Sequence, residues 1–98
     1  MNHFLYKLIP PRPTFAADMT ESEAQIMGEH IAYWQGLTDR RVVVAFGPVD
    51  DPAGSWGFGV VEAESEDDVR KLGADDPAVK SRLATFEVYG LPGAVVRG

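Results

Sequence analysis

The chain of 98 residues contains no cysteine, which excludes a disulfide framework, thiolate metal sites and a cysteine nucleophile. Histidine is scarce too. Only His3 and His30 are present, far apart in sequence, so no transition-metal site is expected. Basic residues number nine against fifteen acidic ones, for a net charge of −6. They are scattered, which argues against a nucleic-acid partner, because phosphate-binding surfaces need basic patches. Long apolar runs are missing as well. "MNHFLYKLIPPRP" is broken by Lys7 and the prolines and reads as neither signal peptide nor membrane span, so a cytoplasmic protein with no membrane partner is expected. "GSWGFG" starts a strand instead of opening a helix, and "ESEDD" lacks the alternating ligands and central glycine of a calcium loop. No cofactor is expected.

What remains is an ordinary globular composition, which predicts one domain over residues 1–98 with one hydrophobic core. "HFLYKLI" predicts a strand that stops at Pro10, since proline cannot donate to a sheet ladder. The next ten residues, "PPRPTFAADM", predict a stiff loop, long enough to line or cover a site. Thr20 followed by Glu23 is a capping-box pattern and starts a helix that runs to about Leu37. "RVVVAFGPV" and "SWGFGVVEA" predict an antiparallel hairpin over 42–63, turned by "DDPAG". Gly57 and Gly59 share one face of it, which points to close backbone approach or a bulge. Ser65 opens a second helix with Glu66, Asp67 and Asp68 in its first turn. Asp76-Pro77 then repeats helix-start chemistry, and "ATFEVYGL" is the last strand.

This order, β-α-β-β-α-β, defines an α+β fold of ferredoxin-like type with a four-stranded antiparallel sheet. Two helices cover only one face of such a sheet. The first strand carries apolar residues at both parities (Phe4, Tyr6 and Leu8; Leu5 and Ile9), so a homodimer packed sheet to sheet is expected.

Around the first helix, at about 100° per residue, His30 falls roughly 40° from Ile26, within an arc that also holds Tyr33, Leu37, Trp34, Met27 and Ile31. Gln25, Glu29, Gln35 and Gly36 take the opposite side. His30 therefore faces the sheet or a pocket beside it. It is either a buried histidine satisfied by one hydrogen bond or a proton-transfer residue in a cleft. Both readings need an acceptor, and Asp76 is the best candidate, because its turn can lie beside the first helix; a plain helix cap is the alternative for Asp76. Tyr6, Trp34 and Phe46 are candidates to line an aromatic pocket, though core packing accounts for aromatics equally well. Gly47, before Pro48, either lets a ligand approach or ends the strand. Asp51 either adds a carboxylate or forms the turn. Arg12 on the stiff loop either meets an anionic substrate or is an ordinary surface arginine.

Taken in order, "LYKLIP", "GEHIAYWQGL", "VVAFGPVDDPAG" and "ADDPAV" resemble the YciI-like, or YCII-related, domain family. The resemblance implies a dimeric α+β barrel of ferredoxin-like protomers. It also implies an enzyme, whose recurrent histidine and aspartate match His30 and Asp76. The function expected is cofactor-independent acid–base chemistry of isomerase, lyase or hydrolase type on a small organic molecule. The alternative is a non-catalytic ligand-binding or accessory dimer with a structural His30. The chain departs from the family where a glycine commonly follows the first helix. Here the link is "TDRR", with Asp39 the residue able to adopt left-handed geometry.

Overall fold

Strand β1 (Asn2–Ile9) alternates as its sequence requires, with Phe4, Tyr6 and Leu8 buried and their neighbours half-buried. The computed structural model, which describes residues 1–97, sets β1 inside a sheet of order β2-β3-β1-β4. The other strands are β2 (Val43–Val49), β3 (Trp56–Ala63) and β4 (Thr85–Gly90), and every neighbouring pair is antiparallel. This is the ferredoxin-like arrangement that the element order predicts.

One face of the sheet carries the core. Phe4, Tyr6, Leu8, Val61 and Val88 pack there against Trp34, Leu37, Val69 and Ala78 of the helices. Helix α2 (Glu21–Asp39) begins in the predicted capping box: the Thr20 hydroxyl accepts from the Glu23 amide and the Glu23 carboxylate from the Thr20 amide. Helix α3 (Glu66–Ala74) starts at Ser65, whose hydroxyl accepts from Asp68 N.

Two short helices complete the layer. Helix α4 (Pro77–Lys80) follows Asp76, its N-cap. Helix α1 (Phe15–Asp18) is one turn within the segment expected to be a loop. The Thr14 carbonyl accepts there from Ala17 N and Asp18 N. A single turn is too short to leave a 3.6-residue pattern in the sequence.

Two local expectations are corrected, and a third is decided between its two alternatives. The left-handed residue after α2 is Arg41 (φ 64°), not Asp39. Asp39 stays helical, while Val42 N donates to Leu37 O and Arg41 N to Thr38 O, which closes the helix two residues later. Ile31, expected in the buried arc, is 54% exposed. The irregularity in the hairpin lies in β2, between Val43 and Ala45, rather than at either glycine of β3.

Gly59 marks the close approach expected as the alternative to a bulge. A Cβ there would stand 2.6 Å from the Trp34 ring, and that ring cannot retreat, because Asp76 holds its Nε1–H. Gly59→Ala is expected to lower unfolding free energy by about 1–3 kcal/mol through overpacking, measured by urea denaturation.

Candidate active site

Asp76 stands just ahead of Pro77, which fills the first helical position of α4, where its missing N–H costs nothing. The Asp76 carboxylate caps that turn by accepting from Ala78 N at 3.0 Å. A cap on a surface helix would leave its other lone pairs to water. Asp76 is completely buried, and protein donors take them. Trp34 Nε1–H donates at 2.8 Å and the Tyr6 hydroxyl at 3.0 Å, both to Oδ2. His30 Nδ1 lies 2.9 Å from each carboxylate oxygen.

Helix α2 brings two of these donors together, because His30 and Trp34 lie one turn apart on the same face. Tyr6 comes from the core-facing side of β1, its ring 4.6 Å from that of Trp34. Burial pushes the Asp76 carboxyl up, but the His30 hydrogen bond and charge, then Trp34 and the Ala78 amide, outweigh it and hold the group below the ordinary carboxylate value. Burial first, then the Asp76 charge and hydrogen bond, push the Tyr6 phenol well above its ordinary range. Tyr6 is thus a fixed donor rather than a proton-transfer group.

An ionised carboxylate can only accept, so Nδ1 of His30 carries a hydrogen, and in the neutral ring the lone pair is then on Nε2. Nε2 has no hydrogen-bond partner. Among the described residues no polar side-chain atom is both sealed from solvent and unpartnered, so Nε2 keeps some solvent access, and His30 forms part of the wall of the adjoining cavity. That cavity measures about 390 Å³.

Its walls come from the end of β1, the segment 10–19, α2, the tips of β2 and β3, and the stretch after α4. Apart from His30, Ser55 and Trp56, every side chain on the wall is wholly apolar. The indole N–H of Trp56 is already bound to Asp51. Among the described residues no group of three His, Cys, Asp or Glu side chains is arranged to hold a metal ion.

The residues singled out in the sequence divide into three sets. His30, Phe46 and Gly47 line the cavity. Tyr6 and Trp34 do not line it; each is 1% exposed beneath it and donates to Asp76. Arg12 and Asp51 are engaged elsewhere. Arg12 clasps Glu23 with two hydrogen bonds of 2.7 and 2.9 Å and binds Asp18 at 2.8 Å, which ties α1 to the start of α2. The same contact with Arg12, followed by the Thr20 amide, holds the Glu23 carboxyl at about 2. Asp51 accepts from Ala53 N and Trp56 Nε1 and shapes the hairpin turn.

Sequence reasoning did not single out the cavity residues Phe15, Met19, Leu83 and Ala84. The length and stiffness of the 10–19 segment carried the signal for the first two. Nothing local marked the others.

A buried aspartate holding a histidine at the wall of an apolar cavity, on a helix-covered antiparallel sheet, defines a small α+β protein with a His–Asp site. The chain belongs to the YCII-related domain family, whose profile matches residues 4–91. Among solved structures it is similar to the 5-chloro-2-hydroxyhydroquinone dehydrochlorinase TftG of Burkholderia phenoliruptrix AC1100, in complex with 2,5-dihydroxybenzoquinone. Identity is 22% and the TM-score 0.69, over 94% of this chain and 95% of that one, a likeness of fold. No curated protein sequence matches the chain.

Proposed function

We propose that this protein is a cofactor-independent enzyme in which His30 Nε2 takes a proton from a small organic substrate, with Asp76 as the group that orients and charges the imidazole. The observation that carries this reading is one ring with two surroundings: Nδ1 is bound to a buried carboxylate, and Nε2 is unpartnered and not sealed from solvent on a residue that lines a cavity. A base so placed gains stabilisation as it becomes imidazolium, because the ionised Asp76 is already in contact with it.

The apolar wall favours isomerisation or elimination over hydrolysis, which needs a held water. In an elimination the proton passes to Nε2, its bonding pair forms the new π bond, and the leaving group departs with its own pair. A fold shared with a dehydrochlorinase supports this choice by analogy. The test is chloride release and deuterium incorporation with halogenated hydroxyaromatic compounds. Activity in the wild type that persists unchanged in a folded His30→Gln variant would overturn the assignment. The rival reading is a ligand-binding domain with a structural His30. It is favoured by the saturation of Asp76 with donors, and the same variant decides between them.

The protein is further proposed to act in the cytoplasm as a homodimer. Leu5, Ile9, Phe58 and Val60 lie on the sheet face opposite the core and are only half-buried, and a second copy packed sheet to sheet would cover them. No helix is long and apolar enough to cross a membrane among the described residues. Sedimentation at micromolar concentration is expected to give a dimer, and Val60→Glu, pointing a charge at that face, a monomer. A wild type that sediments as a monomer would rule the arrangement out.

A further inference from the structure

We infer that the His30 cavity selects uncharged molecules of about one substituted ring, which present an acidic O–H or C–H to Nε2, and that it rejects carboxylates and phosphates. The inference rests on the proton-transfer reading of His30 and adds to it the class of compound.

The first argument is electrostatic. Among the described residues no lysine or arginine lines the cavity. Arg12, on the segment that forms part of the wall, is engaged by Asp18 and Glu23. Lys7 sits over the Trp56 ring, 4.7 Å from its centroid, without reaching the wall. An anion entering this space would give up its hydration with no lysine or arginine to meet it, and the Asp76 carboxylate lies just behind His30. A neutral, apolar-bodied molecule loses little hydration and gains contact with Leu8, Phe15, Met27 and Phe46.

The second argument is hydrogen-bond polarity. In the base form that takes the proton, Nε2 carries a lone pair and accepts, so the matching ligand group is a donor. A carboxylate offers only acceptors. The third argument is size. An apolar cavity on the order of 150 Å³ accommodates benzene, so about 390 Å³ holds a ring with substituents.

The test is calorimetric titration at pH 7 with 4-methylphenol and 4-methylbenzoate, matched in ring and different in charge. Wild type is expected to bind the phenol at least about tenfold more tightly. Ile31, 54% exposed and on the cavity wall, allows the reverse experiment without disturbing the core. Ile31→Arg adds a cation there and should reduce the preference by roughly tenfold, with an unchanged melting curve as the folding control. Benzoate bound as tightly as the phenol by wild type, or no phenol binding at millimolar concentration, overturns the inference. An anion-preferring wild type whose turnover is lost in His30→Gln would sink the selectivity and leave the proton-transfer reading standing. Neutral-selective binding with unchanged turnover in His30→Gln would do the reverse.

Discussion

Asp76→Ala is expected to remove about 3–5 kcal/mol of unfolding free energy, the range for breaking a buried charged network from one side. The stability of a domain this size is roughly 5–15 kcal/mol, so the loss is a large share of the total. The loss comes less from the carboxylate than from what it leaves behind. The Tyr6 hydroxyl, the Trp34 indole N–H, the Ala78 amide and His30 Nδ1–H all point at one spot, and each buried donor left unpaired costs about 1–3 kcal/mol. Asp76→Asn keeps the volume but turns an N–H₂ toward donors, so it too should be destabilising, by a smaller amount. Urea denaturation of the three proteins measures the order. Equal stability of wild type and Asp76→Ala would mean that the network holds nothing together.

The same residue predicts a pH dependence. Its folded-state pKa lies below the ordinary carboxylate value, which is about 3.9 in an unfolded chain. The carboxylate's contribution is therefore complete above that unfolded value and is lost as pH falls through the lower, folded one. Wild-type stability should decline below about pH 4 more steeply than that of Asp76→Asn, which has no proton to take up at this site. Thermal melts from pH 3 to 7 give both curves, and parallel acid limbs would contradict the assignment.

His30→Gln is expected to lower kcat by roughly 10²–10⁴-fold, the usual contribution of a positioned base, with KM changed far less. The glutamine amide can still donate to Asp76, so the cost in stability should be only about 1 kcal/mol. That contrast separates chemistry from scaffolding: a purely structural His30 would lose stability and keep its turnover. Single-turnover chloride release with the halogenated hydroxyaromatic compounds, beside urea curves of the same samples, provides the two readouts.

Much of this was legible in the chain. Alternation in β1, the Thr20–Glu23 capping box and the Asp76-Pro77 start of α4 are local patterns in which sequence spacing maps directly onto geometry. The helical angles that put His30 in the apolar arc are of the same kind. The pairing of His30 with Asp76 was legible too, because it needed only the order of elements and one helix cap. The one-turn α1 and the left-handed Arg41 were not. Both are set by the chain around them, the first by hydrogen bonds to Thr14 and the second by how α2 closes onto β2.

The roles of Tyr6 and Trp34 show where sequence reasoning stops. Their aromatic character marked them as pocket walls or core, and burial agrees with core. That both aim a polar tip at Asp76 depends on Gly59 leaving room for the indole and on β1 and α2 crossing at that point. Arg12 teaches the same lesson in reverse. Its charge suited an anion, but Asp18 and Glu23 stand near enough in the fold to take it.

By itself, then, the sequence determined the family, the ferredoxin-like order of elements and the histidine–aspartate pair, because each is written in residue spacing along single elements. Only the tertiary structure decided that Asp76 gathers four donors, that His30 lines an apolar cavity, and that Arg12 is bound away from it. Those outcomes depend on distances between elements up to 70 residues apart in the chain, and no local pattern encodes such distances.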